Sequence, residues 1–275
     1  MLLTLGVLGS LTLASSAEAG PRNRKAAEEH GEIANGPPPW MTHGEEVRLA
    51  VVDNFLADGN TLMALDILRQ MRVDGLDGPE VDLRQGVALR KEGVTSESER
   101  LLLLAQKRMR GDPRPHAELC ILLADLQRLP EAIDHCRQAT KLSEDDATAW
   151  NNLAFLLLAS SELEEALDAA EEAVRLDATD PLFRNNLGLV QAALGREEQA
   201  FRTLASTMGK ADAAYMVGLT IERSDDIESA RRWYDKALQH DPNHVATRNH
   251  LAELDGDTDE PESPESTPFD LPEEP

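Results

Sequence analysis

Six consecutive stretches of this chain can be laid over one another so that small residues fall in register. With Glu45 as the first position, the stretches run 45–78, 79–112, 113–146, 147–180, 181–210 and 211–244. Each has 34 residues except the fifth, which has 30 and lacks four at the end of its second predicted helix, near Met208-Gly209-Lys210. Four residues is about one helical turn, so the following helix keeps its facing. The seventh position holds Val51, Gln85, Leu119, Leu153, Leu187 and Val217. The eighth holds Val52, Gly86, Cys120, Ala154, Gly188 and Gly218. The twentieth holds Ala64, Ser98, Ala132, Ala166, Ala200 and Ala230, and the twenty-seventh Met71, Ala105, Ala139, Ala173, Thr207 and Ala237. Antiparallel helices approach to about 8 Å only where side chains are small. The pattern therefore predicts stacked helical hairpins, all-α in class, with the eighth and twentieth positions in contact.

Punctuation agrees with this period. Gly59, Gly93 and Gly195 fall between the two helices of their units, where left-handed backbone ends a helix. Pro79, Pro113 and Pro181 open first helices, a position that tolerates proline. Asp241-Pro242-Asn243 closes the sixth unit. Residues 245–255 repeat the first-helix pattern once more, with Leu251 and Ala252 at its seventh and eighth positions, and are expected to cap the last unit. Aromatic residues make up only 4% of the chain, which favours helices over a β-sandwich.

"AWNNLAFLLLASSELEEALDAAEEAVRLD" and "ARRWYDKALQHDPNH" resemble the tetratricopeptide repeat (TPR), a 34-residue helix–turn–helix. The resemblance covers about residues 45–255 and is weakest in the first two units, where Met71, Gln85 and Ser98 depart from the pattern. It implies a TPR-like α-solenoid, a right-handed superhelix whose first helices line the concave side. A narrower resemblance is to exported TPR proteins of bacterial secretion and Tad-type pilus assembly. Some TPR proteins grip a C-terminal carboxylate with Lys at the fifth position. Here that position holds Leu49, Leu83, Ala117, Asn151, Asn185 and Tyr215, so such a clamp is not expected.

The flanks read differently. Residues 2–14 are apolar but short for a bilayer span, and Ala17-Glu18-Ala19 fits a small-residue cleavage site. Residues 1–19 are read as a signal peptide cut after Ala19, giving an exported, periplasmic or cell-envelope protein; an uncleaved N-terminal membrane anchor is the alternative. Residues 20–44 form a linker containing Pro37-Pro38-Pro39, and residues 256–275 an acidic, proline-rich tail expected to be disordered. A net charge of −24 argues against a nucleic-acid partner and against binding to an anionic membrane surface.

The ninth position supplies the candidate binding face. Val87, Ile121, Phe155, Leu189 and Leu219 are expected to form an apolar ridge along the concave groove, broken only by Asp53 in the first unit. Leu56, Ala124, Leu156 and Ala192 are expected to widen it. Asn151, Asn152, Asn185 and Asn186 form an amide ladder beside the ridge that can hydrogen-bond an extended peptide. The alternative is that sixth-position Asn is structural and the ridge is partly core between units. Cys120 and Cys136 lie on facing helices of one unit and either form a disulfide or act as two small buried hydrophobes. His240 and His244 flank Pro242, which breaks their shared helix face, and no metal or cofactor is expected. No sequence pattern of a catalytic or nucleotide-binding site is present. The expected function is a non-catalytic scaffold that holds an apolar or amphipathic protein segment. A self-associating TPR protein and an accessory domain of an unrecognised enzyme are the alternatives.

Overall fold

The computed structural model describes residues 44–256. Residues 1–43, where a signal peptide and a linker are expected, and residues 257–275, where a disordered tail is expected, lie outside the described residues. Among the described residues every regular element is an α-helix. They pair as α1 (Glu45–Ala57) with α2 (Thr61–Val73), α3 (Pro79–Lys91) with α4 (Thr95–Arg108), and α5 (Arg114–Asp125) with α6 (Leu129–Leu142). Then follow α7 (Ala147–Ala159) with α8 (Leu163–Leu176), α9 (Pro181–Ala193) with α10 (Glu197–Leu204), and α11 (Lys210–Glu222) with α12 (Ile227–His240). Helix α13 (Val245–Asp255) packs on α12. Each second helix also packs on the first helix of the next unit, as a solenoid requires.

The turns obey a rule only half visible as glycine. The fifteenth position is left-handed in every unit: Gly59 (φ 75°), Gly93 (75°), Gln127 (59°), Ser161 (61°), Gly195 (73°) and Asp225 (63°). In the first five units the next residue closes the helix end, as in Asn60 N–H to Phe55 O at 2.7 Å and Glu162 N–H to Leu157 O at 2.9 Å. Aspartate side chains cap the starts of α7, α9 and α12. The Asp146 carboxylate accepts from the Thr148 and Ala149 amides, and Asp180 accepts from Leu182. Pro113 sits one residue earlier than expected, as the N-cap of α5 rather than its first residue.

The close approach within each hairpin involves a partner that the column reading missed. A Cβ placed on Gly86 would lie 2.8 Å from the Leu102 side chain, one on Gly188 2.6 Å from Leu204, and one on Gly218 2.5 Å from the Tyr234 ring. Leu102, Leu204 and Tyr234 share the twenty-fourth position. The facing pairs by register are Val52/Leu68, Gly86/Leu102, Cys120/Cys136, Ala154/Ala170, Gly188/Leu204 and Gly218/Tyr234. A glycine faces a large side chain in three units, and two small residues face each other in the third and fourth. The twentieth position touches the eighth as well, but through backbone: the Ser98 hydroxyl donates to the Gly86 carbonyl at 2.7 Å.

The apolar core falls into two clusters, one running from Leu49 to Val190 and the other from Ala192 to Ala237. The division lies at the end of α9, the helix paired with the shortened α10.

Two outcomes test this packing. Gly188→Ala meets the Leu204 side chain near its branch point, at a steric cost of about 1–3 kcal/mol. That outweighs the roughly 1 kcal/mol Ala gains in helix propensity, so chemical denaturation should show net destabilisation. Combining it with Leu204→Ala recreates the Ala154/Ala170 pair, and the two changes should couple favourably by more than about 1 kcal/mol. Ser161→Gly relieves a left-handed non-glycine at an exposed turn and should raise stability by about 0.5–1 kcal/mol, read as an increase in Tm.

Candidate functional site

Which face is concave follows from packing between units. Each first helix touches the first helix of the next unit, from α1 with α3 through to α9 with α11, whereas successive second helices do not approach comparably. The first helices are therefore crowded on the inside of the curve and the second helices splay on the outside.

The inner floor is cross-linked from unit to unit, and the chemistry of the links changes along the array. In the first three units they are ionic. Arg84 makes two hydrogen bonds to Asp53, at 2.7 and 2.8 Å, and also pairs with Glu80. Arg114 donates to Glu80 at 2.6 Å, and Arg90 to Glu118 at 3.1 Å with Asp125 at 3.7 Å. The Lys91 ammonium donates to the Leu56 carbonyl at 3.2 Å. Deeper between the same units, the fully buried Asp82 accepts from Arg72 at 2.8 Å and Arg108 at 2.7 Å, and Gln85 accepts from Arg72 at 2.7 Å. The departures Asp53 and Gln85 thus each have an arginine partner. Between the fourth and fifth units the link is an amide pair, Asn186 Nδ2 donating to Asn151 Oδ1 at 2.7 Å.

The expected ridge is not an open surface. Val87, Ile121, Phe155 and Leu189 are buried, Leu189 to 1% exposure, and of the ninth-position residues proposed for it only Leu219 is half-exposed. They pack between neighbouring units, because first helices approach too closely to leave this position free. Leu56, Ala124 and Ala192 are buried as well. Leu156 is fully buried; it stands at the tenth position, and the twelfth-position residue of that unit is the half-buried Leu158. The amide ladder is largely internal too: Asn151, Asn152 and Asn186 are buried, and the half-buried Asn185 accepts from the Thr207 hydroxyl. The inner face of the last three units instead keeps the half-buried Leu158, Leu182, Met216 and Leu219, while the half-buried Tyr215 sets its ring against Tyr234, His244 and His250 at the junction with α13. Tyr215 and Met216 stand at the fifth and sixth positions of the last unit. Neither is legible from the repeat: in sequence the fifth position speaks only against a carboxylate clamp, and nothing there marks Met216.

Cys120 and Cys136 are joined across the α5/α6 hairpin, with their Cα atoms 5.2 Å apart. Among the described residues no group of three or more His, Cys, Asp or Glu side chains is placed to hold a metal ion, and no helix is long and apolar enough to cross a membrane.

Residues 147–180 match the family model of the tetratricopeptide repeat. No curated protein matches the chain. Among solved structures, PilF of Pseudomonas aeruginosa aligns with a TM-score of 0.58 at 16% identity, over 76% of this chain and 96% of its own. YrrB, described as a TPR protein with an unusual peptide-binding site, aligns with a TM-score of 0.54 at 18% identity, over 67% of this chain and 97% of its own. MamA of Desulfovibrio magneticus RS-1 aligns at 0.51 and 20% identity, over 62% and 98%. The fold is a TPR solenoid.

The ionic floor makes stability depend on acid. Burial alone would raise the carboxyls of Glu80 and Asp112, but hydrogen bonds from arginine outweigh it and hold both below the ordinary carboxylate range. A depressed folded-state value contributes stability above the unfolded value and loses it as pH falls through the folded one. Unfolding followed by circular dichroism should therefore show stability falling as pH drops below about 5. Arg114→Met, which removes a partner shared by Glu80 and Asp112, should make that fall shallower.

Proposed function

We propose that this tetratricopeptide-repeat array is a non-catalytic protein-interaction scaffold that holds a segment of a partner protein along the inner face of its first helices. The observation that carries this reading is that apolar side chains on that face, Leu158, Leu182, Met216 and Leu219, are only half-buried, while the same face of units one to three carries ion pairs. Such a surface suits an amphipathic segment, its apolar residues on these side chains and its charged residues toward Arg84, Arg90 and Arg114. The peptide-binding description attached to YrrB, a protein of like fold, agrees with this reading.

The place of action is the bacterial cell envelope, in secretion or pilus assembly. Support comes from the apolar N-terminal stretch with its small-residue cleavage pattern and from the fold shared with PilF. Self-association is a second reading, favoured by Val47, Leu62, Met63 and Val73, all exposed on the first unit.

Photocrosslinking separates the two. A photoreactive residue at position 219 should capture a partner protein that one at Gln138, exposed on second helix α6, does not. Leu219→Asp should then weaken binding by at least about 1 kcal/mol with helix content unchanged. Equal capture from both positions, or capture only of the chain itself together with a dimer in sedimentation, counts against the groove.

A further inference from the structure

In the first two units the fourth position is charged and is neutralised from the end of its own second helix. Arg48 pairs with Asp74, and Asp82 with Arg108 at 2.7 Å, the partner standing at the thirtieth position each time. Arg72, at the twenty-eighth position of the unit before, also reaches Asp82, at 2.8 Å. The fifth unit again has an arginine at the fourth position, Arg184, but both of these partner positions have changed. Helix α10 stops at Leu204, the twenty-fourth position, and the thirtieth is Lys210, exposed at the start of α11. The twenty-eighth position of the unit before holds the uncharged Val174. Among the described residues no carboxylate pairs with Arg184, and its Nε is buried without a hydrogen-bond partner. A buried donor left in that state is costly until an acceptor reaches it.

The missing turn leaves a cavity of about 530 Å³ between α8 and α10, over α9 and on the outer side of the array. Val174 and Leu187 give it an aliphatic wall, and Arg202 brings a second guanidinium. Arg202 donates through Nε to the Glu198 carbonyl at 3.1 Å and, among the described residues, pairs with no carboxylate. The Thr203 and Ser206 hydroxyls, also in the lining, donate elsewhere, to Gln191 Oε1 and to the Thr203 carbonyl. The charged donors left over are therefore guanidinium N–H groups, which fit a carboxylate through paired hydrogen bonds. The chain carries such a ligand itself. Residues 257–275 hold eight Asp and Glu side chains and no Lys or Arg, with Phe269 and Leu271 flanking Asp270. From α13 to α10 there are three helix-to-helix steps, roughly 30 Å at the usual spacing. The stretch from Asp257 to Asp270 can reach about 45 Å. We propose that Arg184 and Arg202 form a carboxylate site on the outer side of the fifth unit, and that the acidic tail of the same chain, centred on Phe269-Asp270-Leu271, fills it. The tail then supplies the carboxylate that Asp74 gives Arg48, and it covers the junction where the core divides. The site lies across the array from the inner face, so it neither needs nor blocks a partner there.

Photocrosslinking within the purified full chain tests this. A photoreactive residue at Gln199, which is exposed and lines the cavity, should form its principal cross-link with residues 257–275 of the same molecule, at monomer mass. The same group at Gln138 on α6 should not. The tail cross-link should fall at least about threefold at high salt, which screens exposed charges. It should fall as far with Arg184→Met, and with Asp270→Asn, Glu273→Gln and Glu274→Gln combined. The tail changes lie outside the helical array, so they decide the matter even where circular dichroism shows that Arg184→Met disturbs the fold. No tail cross-link, equal capture from Gln138, a tail cross-link unchanged by salt or by the tail substitutions, or one that joins two molecules overturns the proposal.

Discussion

The contact on which the array depends is the one between the eighth and twenty-fourth positions of each hairpin. It sets how closely the two helices approach, and that distance sets the packing of every later unit. Its volume is shared in different ways: by a bare backbone under Leu102, Leu204 or Tyr234, or by two small residues as in Ala154 and Ala170. Because the partners compensate, an eighth-position glycine is not an ordinary helix breaker. Its propensity cost of about 1 kcal/mol is offset by a large side chain seated directly on the backbone. This burial is hydrophobic and undirected, so it supports the stack without deciding which surface is free to bind.

That choice is made between units. The inner helices meet at the ninth position, and the large apolar residues that stand there in units two to five are consumed by the stack. Where the residue is Asp53, the same junction is held by Arg84 instead. The first three units thus add ion pairs to the apolar contact of Val87 and Ile121, including a fully buried carboxylate between two guanidinium groups at Asp82. Removing one partner of such a cluster leaves an uncompensated buried charge, so these links specify the seating of one unit on the next more sharply than a methyl contact could. Among the described residues the last three units have no such ionic floor: an amide pair links the fourth to the fifth, and the inner face of the sixth retains Met216 and Leu219 in half-exposed positions.

The helical hairpins and their period were legible because they rest on local signals: small residues in step, glycine and proline at fixed offsets, and helix-forming stretches between. The site was less legible because exposure is a property of neighbouring units. Phe155 and Leu219 occupy the same column, yet the first is buried and the second half-exposed. Turn geometry was legible at Gly59 and silent at Gln127 and Ser161, where the surrounding helices impose a left-handed backbone that the residue does not advertise. The cavity at Arg184 was silent for the same reason: α8, α9 and α10 each supply part of its wall, and only the stack brings them together.

The shortened fifth unit shows how such an array absorbs a deletion. Losing one turn from α10 keeps the following helix in phase, so α11 still packs on α9 and α10. What the lost turn removes is apolar bridging surface, and the core divides at that place, after Val190 and before Ala192. In a stack whose stability is a sum of nearest-neighbour terms, one weak junction affects its own neighbours and leaves the packing rule elsewhere intact. The division also falls where the buried amide pair of Asn151 and Asn186 gives way to the half-buried Tyr215 and Met216. The discontinuity in the core and the half-buried Met216 and Leu219 of α11 therefore share one junction, which has too little surface to bury everything its helices carry.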